Sequence, residues 1–146
     1  MSFTITPLPA PGLWHVDYAG RITAETRNQA LTEFVRQAKG RDVQGIVVDL
    51  RRADMEIGIV DAYNFGARLA AEPGLGSCRL VFLELDRHAE RSVFLETVAR
   101  NRGRQARVMT SWDEAVAWLS GKSDIRPSGA SVRDRILRPG VPGGSL

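Results

Sequence analysis

Two short polar stretches carry the side chains that could do chemistry, and each ends a run of apolar β-formers. Asp49, Arg51, Arg52 and Asp54 close the run Gly45-Ile-Val-Val-Asp-Leu50, and Glu84, Asp86, Arg87 and His88 close the run that starts at Cys78. In open α/β sheets, ligands sit beyond the carboxyl ends of the parallel strands. If both runs are such strands, the two groups line one crevice, and Arg51, Arg52 and His88 would hold an anion or another polar ligand. The competing reading is loop charge in water, with Asp86 as a helix cap. Tyr63 would face the same crevice or a partner.

Other chemistry finds little support. His15 and His88 are the only histidines and Cys78 the only cysteine. None has a partner at metal-ligand spacing, so no metal site is expected. A lone cysteine in an apolar run reads as a small buried hydrophobe. A Ser-His-Asp set is compatible with the composition, but no Gly-x-Ser-x-Gly elbow is present. Gly74-Leu-Gly76 precedes a strand instead of joining a strand to a helix, so it reads as a turn and not as half of a nucleotide fingerprint. Arg100, Arg102, Arg104 and Arg107 form a basic run that would complement the negative end of a helix. Nucleic-acid binding would favour exposed aromatics interleaved with these cations, and none are nearby. No catalytic residue and no cofactor are therefore expected.

The elements that must position these groups follow from periodicity. Phe3–Leu8 is β-prone, and Leu13–Tyr18 alternates, with Trp14, Val16 and Tyr18 on one face and Leu13, His15 and Asp17 on the other. Pro9-Ala-Pro-Gly12 between them has turn composition, so the two segments predict an antiparallel pair. Thr23 can cap a helix whose apolar face is Leu31, Phe34, Val35 and Ala38, closed by Gly40. Gly45–Leu50 reads as a strand covered on both faces. A second helix is predicted over about Val60–Ala71, stopped by Pro73 and Gly74. Cys78–Leu85 is another buried strand. Ala89–Arg100 predicts a third helix, with Ala89, Val93 and Val98 inward and Arg91, Glu96 and Arg100 outward. Arg107–Thr110 is a last strand. Ser111-Trp-Asp-Glu114 has the capping-box form, ahead of a fourth helix buried along Ala115, Trp118 and Leu119. The predicted fold is α/β: a single mixed, mostly parallel sheet with about four helices, in the order β-β-α-β-α-β-α-β-α.

The chain has 146 residues, enough for one domain with its own core. Residues 1–120 hold every predicted element. Residues 121–146 are rich in Gly, Pro and Ser and read as a tail, with a short helix near 131–138 where Val132, Ile136 and Leu137 approach helical spacing. The formal net charge is +3, from arginines too scattered for a polybasic segment. No apolar run approaches the roughly 20 residues of a membrane span. The first residues carry neither a basic nor a long apolar region, so a cytoplasmic protein is expected.

Three stretches together resemble the STAS / SpoIIAA-like superfamily of bacterial domains: Ala19-Gly-Arg-Ile-Thr23, Ile46-Val-Val-Asp-Leu50, and Arg107-Val-Met-Thr-Ser-Trp-Asp-Glu-Ala-Val-Ala-Trp-Leu119. The resemblance spans about Phe3 to Ser120. It implies a regulatory module, or one that binds a small molecule or a lipid. Anti-sigma-factor antagonists of this superfamily carry a phosphorylatable Ser at the start of the helix after the VVDL-type strand. Here Arg51–Asn64 contains no Ser or Thr, and Gly58 falls near that position. The leading expectation is a non-enzymatic binding module that meets a protein partner or a small ligand through the surface from Asp49 to Tyr63, with Asp86 and His88 nearby. The alternative is an enzyme or carrier for a small anionic or lipid-like molecule in the strand-end crevice. A homodimer is compatible with either.

Overall fold

The computed structural model of the chain describes residues 2–56 and 58–121. The expected short helix near 131–138 lies outside the described residues, as does all of the tail beyond Gly121. β1 (Phe3–Pro7) and β2 (Leu13–Arg21) pair antiparallel, from Phe3 opposite Tyr18 to Pro7 opposite Trp14. There follow α1 (Ala24–Ala38), β3 (Gly45–Asp54), α2 (Ile59–Ala71), β4 (Arg79–Leu83), α3 (Val93–Asn101), β5 (Ala106–Met109) and α4 (Trp112–Leu119). Short 3-10 segments, Pro73–Leu75 and Asp86–Ser92, precede β4 and α3. The sheet has five strands in the order β1-β2-β3-β4-β5, and each pair from β2 onward is parallel.

This order decides which face each helix covers. Strands that advance in one direction through right-handed crossovers place every crossover helix on the same face. The main core accordingly joins α1 (Ala30, Leu31, Phe34), α2 (Ala62, Leu69) and α3 (Leu95, Ala99) to Val16, Ile46, Leu80 and Phe82 of the sheet. On the opposite face, α4 is the one helix among the described residues, and its Ala115, Trp118 and Leu119 cover Leu13, Val47, Val81 and Met109. Beyond Leu13 the same face of β2 carries His15 and Asp17, and α4 reaches it only through Trp112 at its first residue.

Local signals set the element ends. Thr23 Oγ1 accepts from the Thr26 amide at 3.2 Å to start α1. Ser111 Oγ accepts from the Glu114 amide at 3.2 Å to start α4. Gly40 adopts φ +78° just after α1, a conformation that costs a residue with a Cβ.

Three expectations need correction. β3 runs to Asp54, so Arg51, Arg52 and Asp54 belong to the strand and do not follow it. Their backbone continues the ladder because β2 itself runs on to Arg21 opposite Asp54. The third helix is a 3-10 segment followed by a nine-residue α-helix. Glu96 and Arg91 face inward, not outward. Glu96 is fully buried and accepts from the Val108 amide at 2.6 Å. β5 is an edge strand, so the Val108 N–H on its unpaired side needs a side-chain acceptor, and Glu96 supplies it while pairing with Arg100 at 3.3 Å.

Candidate functional site

The largest polar cluster lies on the face that α4 leaves partly open. Parallel register sets Asp17 of β2 beside Asp49 of β3, and His15 is two residues before Asp17. From Asp17 to Ala19, β2 takes two steps, whereas β3 takes three from Asp49 to Arg52, so β3 bulges by one residue. A bulge re-aims side chains that strict alternation would separate. Here two consecutive arginines reach the two neighbouring carboxylates, one each. Arg51 donates to Asp49 through Nε at 3.0 Å and Nη2 at 2.8 Å, and Arg52 donates to Asp17 at 2.7 Å.

His15 Nε2 and Asp49 Oδ2 are hydrogen-bonded at 2.9 Å. Trp112, at the start of α4, walls the cluster, with the His15 ring edge-on at 4.9 Å and the Arg51 guanidinium over its ring at 5.7 Å. Burial by itself would push the Asp49 carboxyl up. The hydrogen bonds from His15 and Arg51, with the Arg51 charge, more than offset this and hold it well below the usual carboxylate range. His15, Asp17 and Asp49 each offer a ligand atom within 4.8 Å of the others. The same carboxylates already carry Arg51 and Arg52, so a cation would have to displace two guanidinium groups. One acceptor, Asp17 Oδ1, is buried without a partner among the described residues. His15, Asp17 and Trp112 were absent from the sequence-level site. The signal for the first two was present as polar residues on one face of an otherwise apolar strand.

A second polar group locks the end of β4. Glu84 is fully buried and takes Arg91 through Nε at 2.9 Å and Ser92 through its hydroxyl at 2.5 Å. The Arg91 guanidinium also donates to the main-chain carbonyls of Leu50, Ala53 and Met55. This half-buried arginine ties the 3-10 segment to the end of β3. The pair with Glu84 holds these segments together.

The residues expected to form one crevice therefore separate. Asp49, Arg51 and Arg52 join across β2 and β3 on the α4 side. Asp86 and His88 are exposed on the 3-10 segment whose Ala89 enters the main core, and Asp54 is exposed at the end of β3. No hydrogen bond or ion pair among the described residues joins His88 to Arg51 or Arg52. Tyr63 is 45% exposed and accepts from Arg102 at 2.5 Å, with that guanidinium over its ring. The basic run is largely structural as well. Arg104 donates to the carbonyls of Leu69 and Ala70 at the end of α2, so it complements the neighbouring helix and not its own.

Ile59 and Val60, in the first turn of α2, are 77% and 71% exposed, and Phe94, in the first turn of α3, is 40% exposed. The two helices pack directly: a Cβ on Gly66 would meet Val98 Cβ at 3.0 Å, so no pocket separates them. Between α1, α2 and the sheet, a cavity of about 30 Å³ is lined by Tyr18, Phe34, Phe65 and Leu75 among others. Gly58 is the N-cap residue of α2 and makes no side-chain cap.

This architecture is a SpoIIAA-like fold. A structure from Shewanella loihica PV-4, described as an uncharacterized protein from the DUF3478 family with a SpoIIAA-like fold, superposes with a TM-score of 0.53. The two chains are 11% identical, and the match covers 80% of this chain and 91% of the other. No family model matches the sequence, and a search of curated proteins found no match. No helix among the described residues is long and apolar enough to cross a membrane.

Proposed function

We propose that this chain is a non-enzymatic regulatory module that binds a protein partner through the carboxyl-end surface of β3 and β4. The observation that carries this reading is the solvent-facing first turn of α2, where Ile59 and Val60 are 77% and 71% exposed, with Tyr63 one turn on at 45%. Large apolar side chains grouped on one exposed helix turn mark interaction surfaces. Exposed carboxylates surround them at the same end of the sheet: Asp54, Glu56, Asp61, Asp86 and Glu90, with Arg87 and His88 among them. An acidic rim around an apolar centre suits a partner whose own apolar surface is ringed by Lys or Arg. A second copy presenting the same face would oppose acid to acid, which disfavours a symmetric dimer through this surface.

Carriage of a lipid-like molecule in the core is disfavoured by the cavity size. Ligand pockets run to about 300–1,000 Å³, and the core cavity here is about 30 Å³. The binding surface also lacks the family's switch. With no Ser or Thr between Arg51 and Asn64, partner binding is constitutive with respect to Ser or Thr phosphorylation there.

The test places a photo-crosslinking amino acid at Val60 of the full chain in its own host. One dominant adduct to another protein is expected, abolished by Ile59→Asp and weakened by Glu56→Lys with Asp61→Lys, while the thermal melt stays unchanged. An adduct formed only with a second copy, or the same adducts from a probe at Arg36 on α1, would overturn it.

A further inference from the structure

We infer that the wedge between α1, α2 and β2 is a binding site for a short-chain carboxylate, held by the Arg27 guanidinium and the Tyr18 hydroxyl. Arg27, near the start of α1, is 4% exposed, and Tyr18, on β2, is 3% exposed. Neither side chain has a hydrogen bond or an ion pair among the described residues, and Arg27 Nε is fully enclosed without an acceptor. The other buried charges among the described residues are all satisfied: Asp49 by Arg51, Glu84 by Arg91, Glu96 by Arg100, and Arg104 by main-chain carbonyls.

Two unsatisfied donors in one place ask for an acceptor. Each lies within electrostatic reach of the other. Burial works against the Arg27 charge, and Asp61 and Tyr18 offset only part of that. Asp61, in the first turn of α2, is exposed and makes no ion pair with it. Arginine does not shed its proton, so this guanidinium stays a cation without a counter-ion. It lies over the Phe65 ring at 5.5 Å, which offers a π face and no hydrogen-bond acceptor. Burial pushes the Tyr18 phenol up, so its hydroxyl stays a neutral donor. Buried donors left unpaired are rare and costly. A carboxylate accepts from both groups at once, and bonds of this charge-assisted kind are the strong ones. Gly58 gives α2 no side-chain cap, so the positive end of that helix adds to the attraction.

The space beside these donors sets the size of the acid. The core cavity of about 30 Å³ is lined by Tyr18 and Phe65, and by Ala30 and Leu31, one turn on from Arg27. Apart from the Tyr18 hydroxyl these side chains are apolar, so the cavity suits an aliphatic stem. A water needs roughly 10–15 Å³ of such space, and the cavity therefore takes a stem of about two carbons. A long acyl chain does not fit. Inorganic phosphate fits the cation but leaves the apolar space empty. Phe65 is only partly buried, so the wedge lies close to the surface.

The test is thermal melting of the full chain in sodium propionate against sodium chloride at matched ionic strength, with inorganic phosphate and octanoate run beside it. A saturable rise in melting temperature is expected with propionate, together with a shift of the Arg27 Nε–Hε resonance. Tyr18→Phe keeps the ring and removes the unpaired hydroxyl. It should weaken propionate binding about tenfold and leave the free chain as stable as before or more so. Arg27→Met should abolish the rise and lift the melting temperature of the free chain by several degrees, because an apolar side chain replaces an unpaired buried charge. Arg36→Gln, at an exposed position of α1, should leave both unchanged. The inference is overturned if propionate gives no saturable rise beyond chloride, or if phosphate or octanoate binds as well as propionate. It is equally overturned if Tyr18→Phe binds propionate like the parent chain, or if Arg27→Met keeps the rise or lowers the melting temperature of the free chain.

Discussion

At the scale of single residues, the buried charges of this protein serve mainly to hold strand ends, and two of them give measurable expectations. The Asp49 carboxyl lies below its ordinary value in the folded chain, held there by His15 and Arg51 against the cost of burial. A depressed carboxyl contributes stability that is complete above its unfolded value of about 4 and is lost as the pH falls through that value toward the folded one. Melting temperature measured from pH 7 to pH 3 should therefore fall at the acid end, and Asp49→Asn should flatten that fall while lowering stability at pH 7. Parallel curves for the two proteins would remove Asp49 from the acid response. Arg91 gives the second expectation. Arg91→Ala leaves Glu84 buried without its cation and exposes the need of three carbonyls, so a loss of about 3–5 kcal/mol in chemical denaturation is expected. A loss below about 1 kcal/mol would mean that water replaces the guanidinium at no great cost.

At the scale of elements, close approach of α2 to α3 and the docking of α4 dominate. Adding a methyl at Gly66 improves helix propensity by about 1 kcal/mol. It also sets the new Cβ 3.0 Å from Val98 Cβ and 3.4 Å from the Leu95 carbonyl, neither of which is a flexible chain end. Overpacking costs about 1–3 kcal/mol, so the clash should win and Gly66→Ala should lower the melting temperature. The double variant Gly66→Ala, Val98→Ala should be more stable than the sum of its singles, and strict additivity would show that the helices simply slide apart. Trp118 is 4% exposed and lies between the second face of the sheet and two guanidinium groups. Trp118→Ala should cost about 3–5 kcal/mol. A melt shifted by only a degree or two would show that α4 contributes little to the second core.

At the scale of the whole molecule, charge is divided along the strand axis. Carboxylates gather at the carboxyl ends of β3 and β4, and arginines at the amino ends of β4 and β5, although the formal net charge is only +3. Association through the acidic end should weaken as salt rises, because exposed charges are screened over a Debye length of about 8 Å at physiological strength. Phosphopeptide mapping of the protein from its own host should find no stoichiometric phosphate between Arg51 and Phe65, where Tyr63 is the one hydroxyl available. A phosphate there would place control of the surface on Tyr63 and break its bond to Arg102.

The fold was legible because its signals are local. Alternation over Leu13–Tyr18, the apolar run Gly45–Leu50, the caps Thr23 and Ser111, and the stops at Gly40 and Pro73 each depend on neighbours in sequence, and their order dictates a mostly parallel sheet with three helices on one face. The place of Tyr63 in the fold, near the start of α2, was legible in the same way, since a helix following a buried strand begins at the sheet's carboxyl edge. What tertiary structure alone decided was the fate of the charges. Whether Arg51 and Arg52 point apart or together depends on a bulge set by the register against β2, which no local pattern of β3 encodes. Glu96 occupies a position that reads as solvent-facing, yet it turns inward because β5 is an edge with an amide in need of an acceptor. Arg79, Arg104 and Trp118 lie up to 39 residues apart along the chain and become a cleft only when two strand starts and two helix ends meet. Burial and pairing of charge are settled by long-range contacts, and sequence spacing carries no record of them.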